Sequence, residues 1–196
     1  YGCQGFQGHL FGAPMPLRGT ETGGYALTDH QVGRTLTFAP ADDGAALLES
    51  ITDRGGVTIR IVRDELGTPI EVRHDGGCTV AVDSDDELIT ALRLVPGAER
   101  GEPGAAVDPV TVVEFRYDAD RRLVEVINSS GLPLRFDYDA DGRITRWEDR
   151  NGMWYSYTYD EAGRCVATDG RDGYLRYRFD YDLDNRVTRV TDSLGH

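Results

Sequence analysis

The chain has no lysine. All 21 of its basic residues are arginine, set against 34 aspartates and glutamates for a formal net charge of −13 over 196 residues. A phosphate-binding surface needs a basic footprint, so this balance speaks against nucleic acid and anionic membrane as partners. Only three cysteines occur, Cys3, Cys78 and Cys165, odd in number, far apart and outside any C-x-x-C spacing. They make neither a disulfide framework nor a zinc site. No apolar run approaches the length that spans a bilayer, and no charged segment followed by an apolar core marks a signal peptide. The four histidines, His9, His30, His74 and His196, lack H-x-x-x-H or H-E-x-x-H spacing. Nucleophile elbow, phosphate loop and dinucleotide fingerprint are missing too. These absences leave no catalytic constellation and no cofactor site, and an enzyme is the weakest reading. Without an initiator Met, and ending in mid-pattern, the chain is expected to be a piece of something longer.

What is present is a repeat. Tyr117-Asp118, Tyr138-Asp139, Tyr159-Asp160 and Tyr181-Asp182 recur with the aspartates spaced 21, 21 and 22 residues apart. Four residues after each aspartate stands an arginine: Arg122, Arg143, Arg164 and Arg186. Thirteen after each stands a glycine: Gly131, Gly152, Gly173 and Gly195. Agreement at three fixed offsets is the signature of a repeat architecture. Each unit also carries two turn signals. Asp139-Ala140-Asp141-Gly142 puts Asp first and Gly fourth, as a type I turn followed by positive φ prefers, and Asp149-Arg150-Asn151-Gly152 does so again. Gly163 holds the first of these turn positions in the next unit, whereas Arg121 and Asn185 replace it in the units before and after. Asn accommodates positive φ; Arg is uncommon there.

Between turns the pattern has period two, which predicts strands and not helices. Leu132, Leu134, Phe136 and Tyr138 fall on one face, with Pro133, Arg135 and Asp137 on the other. Met153, Tyr155, Tyr157 and Tyr159 are expected on the matching face one unit later, so that aromatics align across neighbouring strands. The interval is therefore one β-hairpin and its link to the next, and the fold class is all-β, antiparallel hairpin repeats forming a strip of a spiralling sheet. The same ruler extends upstream more faintly through Asp43, Asp53, Gly56, Asp64 and Gly77. Four segments follow: 1–28, a Gly-rich leader with no assigned structure; 29–95, divergent hairpin repeats; 96–109, a Pro/Gly-rich loop; and 110–196, regular repeats.

Tyr-Asp-x-x-Gly-Arg followed by an aliphatic residue resembles the YD repeat of Rhs proteins, of the C components of insecticidal Tc toxins and of teneurins. The resemblance is close over 110–196 and weaker over 29–95. It implies a long β-sheet that spirals into a hollow shell, in bacterial members around a toxic C-terminal domain. The family's Asp-Pro-x-Gly autocleavage motif is absent from Asp108-Pro109, which Val110 follows. By this resemblance the chain is shell wall, its partners are the remainder of the parent shell and the enclosed C-terminal domain, and it is secreted, exported or displayed on a bacterial surface. The alternative is a carbohydrate- or cell-surface-binding module that uses exposed Tyr and Trp rows.

One motif offers metal chemistry. Asp137-x-Asp139-x-Asp141-Gly142, with Glu148 closing it, satisfies the EF-hand calcium spacing. An EF-hand needs flanking helices, however, and Pro133 and the alternation around it deny the entering one. The aspartates are therefore read as turn formers and no metal is expected. Asp83-Ser84-Asp85-Asp86-Glu87 is likewise read as a solvated turn. The repeated arginines are expected to pair with neighbouring aspartates or to lie over a tyrosine face.

Overall fold

A computed structural model describes residues 7–10, 13–40, 45–96 and 108–196. Cys3, Asp43 and most of the expected 96–109 loop lie outside these residues. The described part is β-structure throughout, with seventeen strands and one short 3-10 turn at Arg171–Gly173. The chain divides into two units, 1–112 and 113–196.

In the first unit the strands are β1 (Gln7–Leu10), β2 (Ala13–Gly19), β3 (Tyr25–Asp29), β4 (Arg34–Pro40), β5 (Ala46–Asp53), β6 (Thr58–Arg63), β7 (Pro69–His74), β8 (Cys78–Asp85) and β9 (Leu88–Val95). Each pairs antiparallel with the next. Three of these strands lie wholly or partly in the 1–28 stretch to which the sequence assigns no structure. A meander of its own runs through β10 (Val110–Tyr117), β11 (Leu123–Asn128), β12 (Pro133–Tyr138), β13 (Ile144–Glu148), β14 (Trp154–Tyr159), β15 (Cys165–Gly170), β16 (Tyr177–Asp182) and β17 (Val187–Asp192), all but the first residues of β10 in the second unit.

The turns form because one aspartate satisfies two backbone donors. Asp139 Oδ1 accepts the N–H of Asp141 at 3.0 Å and of Arg143 at 2.9 Å. Gly142 N donates to Asp139 O, and Gly142 sits at φ +78°, a region that costs a side-chain-bearing residue about 1–2 kcal/mol. Asp64 builds the same turn upstream, accepting from Leu66 and Thr68 at 3.0 and 2.9 Å, so the fainter repeats share the physics of the regular ones. Arg121 takes the strained position that its place in the repeat implies, at φ 64°.

Three of the four regular hairpins carry a further feature that alternation alone does not predict. Tyr138 pairs with Ile144 while Asp137 pairs with Arg146, leaving Thr145 as a bulge. Val124, Val166 and, upstream, Ile70 are left over in the same way. A bulge turns the next side chain back to the same face and adds local twist. Ile144 and Trp147, three residues apart, therefore share a face.

The second unit has two unlike faces. Cross-strand rows Phe115–Val126–Leu134, Phe136–Trp147–Tyr155 and Tyr157–Thr168–Tyr177 run along one. Along the other, Glu125 accepts from Arg116 at 3.1 Å and from Arg135 at 3.0 Å, and Glu148 from Arg146 at 2.8 Å. Met153 does not extend the aromatic row as expected. It closes the Asp149 turn, its N–H bound to Asp149 Oδ1, and the strand begins at Trp154. Among the described residues no side chain is fully buried, and Val82 and Ala91 are the only hydrophobic ones classed as buried. These are strips of sheet held by their strand ladders and cross-strand pairs, without a deep core.

Candidate functional site

The residues singled out by the repeat converge where one hairpin meets the next. Arg143 Nε donates to Asp139 Oδ2 at 2.7 Å, and its Nη2 donates to Asp141 Oδ2 at 2.7 Å. Held so, the guanidinium stands 4.9 Å from the ring centroid of Tyr159, the tyrosine of the following unit. The phenol of Tyr159 in turn donates to the carbonyl of Ile144, the residue next to Arg143, at 2.8 Å. The same joint occurs before and after it. Arg122 binds Asp118 and faces Tyr138 at 5.3 Å, and Tyr138 Oη donates to Leu123 O at 2.7 Å. Arg164 binds Asp160 and faces Tyr181 at 5.2 Å, and Tyr181 Oη donates to Cys165 O at 2.6 Å. Tyr138-Asp139 and Tyr159-Asp160 thus work in two directions: Tyr clasps the unit behind, and Asp aims the arginine at the unit ahead.

One glycine completes the fit. Gly163 sits at φ +78°, and a Cβ there would lie 2.9 Å from Arg143 Nη1. Gly131, Gly152, Gly173 and Gly195 also adopt positive φ. The fourth unit departs from the pattern. Arg186, and not Asn185, takes positive φ, at 55°, and Asp182 is bound by the N–H and amide of Asn185. Tyr181 pairs with Thr188 and Asp182 with Val187 without a bulge. The reason is local: the Asn185 side chain competes for the carboxylate that elsewhere holds the repeat arginine. Tyr117 opens the series on β10.

The electrostatics follow from these contacts. The Arg143 N–H, then its side chain, holds the Asp139 carboxyl below the usual range against the cost of burial, and Asp118 and Asp160 are lowered alike by Arg122 and Arg164. Burial pushes the phenols of Tyr138 and Tyr159 upward. Burial also pushes up the thiol of Cys165, which keeps it a poor nucleophile.

The four carboxylates of the calcium-like spacing lie among arginines and backbone donors. Asp139 is engaged by Arg143 and by backbone N–H groups, Asp141 by Arg143 and Glu148 by Arg146, while Asp137 lies opposite Arg146 on the charged face. Among the described residues no group of three His, Cys, Asp or Glu side chains is placed to hold a metal ion, and no helix is long and apolar enough to cross a membrane. Sequence reasoning did not find the aromatic pocket around Trp147, Tyr155 and Tyr174. The one signal for it is the spacing of 22 where 21 is the rule.

The family model described as RHS repeat matches residues 138–175, and the Rhs/YD resemblance read from the sequence is borne out. The comparison with curated proteins gives no match. Among solved structures, the chain is similar to the crystal structure of TcdB2-TccC3 without its hypervariable C-terminal region, at a TM-score of 0.55 and 10% identity. The match covers 92% of this chain and 10% of that one. The crystal structure of TcdB2-TccC3-TEV is similar at a TM-score of 0.54 and 12% identity, with the same coverage. At such identity the likeness is one of fold. The chain spans about one tenth of the length of these structures.

Proposed function

We propose that this RHS-repeat chain is a wall segment of a YD-repeat shell that encloses or presents a C-terminal effector domain, with a structural and not a catalytic role. The observation that carries the reading is the threefold Arg–Tyr joint. It fixes each hairpin to the next through a cation–π contact and a phenol–carbonyl bond, in a sheet without a buried core of its own. Such a sheet gains from being long and continuous, because each unit is stabilised by its neighbours. The partners on this reading are the rest of the parent shell and the enclosed domain, in a protein exported from or displayed on a bacterial cell.

The test is limited proteolysis of the full-length natural protein. The region beyond the repeats should resist a protease that digests it readily once expressed alone. Opening joints by the combined changes Tyr138→Phe, Tyr159→Phe and Arg143→Ala should make it accessible in the full-length chain. Equal digestion of the enclosed and the isolated region would rule the enclosing role out.

A further inference from the structure

The loop between β15 and β16 is one residue longer than its counterpart after β13, and the addition has been built into a definite shape. After the 3-10 turn, Leu175 sits at φ 50°, where a branched side chain is rarely found. Its carbonyl accepts two hydrogen bonds, from Tyr155 Oη at 2.9 Å and from Thr168 Oγ1 at 3.0 Å, and Thr168 is only 7% exposed. Gly170 allows the approach, since a Cβ there would lie 2.4 Å from the Tyr174 carbonyl oxygen. Backbone strain held in place by several independent contacts is characteristic of functional sites.

The result is that Tyr174 and Leu175, 61% and 44% exposed, stand over Trp147, Tyr155, Tyr157 and Met153 around a pocket of about 290 Å³. Two of its polar groups already have partners: Trp147 Nε1 donates to Tyr157 Oη at 3.3 Å, and Tyr155 Oη donates to Leu175 O. No charged side chain lines it. Trp147 and Tyr155 lie 6.3 Å apart, and Tyr155 and Tyr157 meet edge to face at 5.2 Å, so the walls are fixed by ring packing.

We propose that this pocket is a binding site for one uncharged aromatic or aliphatic side chain, carried by an extended, neutral or basic peptide segment. The volume suits a single ring or branched chain, below the usual size of a cofactor pocket. A sugar would surrender hydrogen bonds to water and find few in return on these walls. An acidic segment would find no cation inside and would be repelled by a chain of net charge −13. The site stands whether or not the parent protein encloses an effector, because its chemistry comes from its own lining.

Of the chain's two tryptophans, Trp147 lines the pocket with its ring, whereas the Trp154 ring lies 4.6 Å from the Arg146 guanidinium on the charged face. In a Trp154→Phe background, Trp147 is the sole tryptophan, and its emission, excited to the red of tyrosine absorption, reports on the pocket. The titrant is a capped hexapeptide with one arginine and a central 4-bromophenylalanine, whose heavy atom quenches an adjacent indole. Saturable quenching is expected, lost when alanine replaces the bromophenylalanine and weakened when glutamate replaces the arginine. Leu175→Gly removes a pocket wall and relieves the positive φ, so it should weaken binding about tenfold, on the scale of one apolar side chain, while leaving Tm unchanged or higher. Tyr174→Ser, at an exposed position, should weaken binding without unfolding. Absence of saturable quenching, or equal affinity in both variants, would overturn the site. Tighter competition by maltohexaose would assign it to glycans instead, and binding of free 4-bromotoluene with no gain from the peptide would refute the peptide as occupant.

Discussion

Arg143 and Tyr159 hold each other in place from two directions. The guanidinium lies 4.9 Å from the ring centroid, while the phenol reaches the carbonyl of Ile144, the next residue in the chain after Arg143. The arginine is held in turn by Asp139 and Asp141, so four side chains from two consecutive repeats form one assembly. Its recurrence at Arg122–Tyr138 and Arg164–Tyr181 makes it the physical content of the Tyr-Asp motif.

Tyr159→Phe removes only the phenol–carbonyl bond and should lower stability by about 0.5–1.5 kcal/mol, the net worth of an ordinary intramolecular hydrogen bond. Arg143→Ala should cost as much or more, since it also strips the cation from the ring and leaves Asp139 with backbone donors alone. A denaturant-unfolding double-mutant cycle should give a coupling of at least about 0.5 kcal/mol. Strict additivity would mean that the two residues do not act together.

Gly142 and Gly163 share φ +78° but differ in surroundings: a Cβ meets nothing within 4 Å at Gly142 and Arg143 Nη1 at 2.9 Å at Gly163. Alanine at either should cost about 1–2 kcal/mol for the backbone. The loss should be larger at Gly163, because the Arg143 tip is held by two carboxylates and a ring. Equal losses in thermal unfolding would show that the arginine yields freely.

The β8–β9 turn has Asp86 at φ 47° and Glu87 at φ 65°, both central residues positive, as in a type I′ hairpin whose favoured sequence is Asn-Gly. Glu87→Gly should therefore stabilise the chain by about 0.5–1 kcal/mol. A fall in the urea midpoint would show that the Glu87 side chain contributes more than the strain costs.

The carboxyls of Asp118, Asp139 and Asp160 are lowered by their arginines, the backbone N–H contributing most. A group with a depressed folded-state pKa contributes stability above its unfolded value, near 3.9, and loses it as pH falls through the folded value. Thermal stability should thus be flat near neutrality and drop below about pH 4. Tyr138 and Tyr159 are raised by burial, so their contribution is present below the unfolded value near 10 and disappears as pH rises through the folded one. Acid loss that is unchanged in Asp139→Asn would separate the joints from the pH response.

The sequence by itself determined the period, the strand class and the turns, because these depend on interactions spanning a few residues. An aspartate that binds the N–H groups two and four places on, and a glycine at the position that needs positive φ, act before any tertiary structure exists. Even the range of partners open to the repeat arginines was legible from the abundance of Asp and Tyr. Tertiary structure decided which tyrosine each arginine meets, since that partner lies on a different hairpin and is chosen by cross-strand register. It decided that Val124, Thr145 and Val166 bulge out, so that Leu123 and Val126 come to one face at a spacing of three. The shift of positive φ from Asn185 to Arg186 is local in origin, yet composition alone does not rank Asn185 and Arg186 as competitors for the Asp182 carboxylate. The extra residue in the 22-residue interval was visible in the sequence as a number alone. Only the folded register brought Tyr174 and Leu175 over Trp147, because two hydroxyls far away in the chain, on Tyr155 and Thr168, converge on the Leu175 carbonyl.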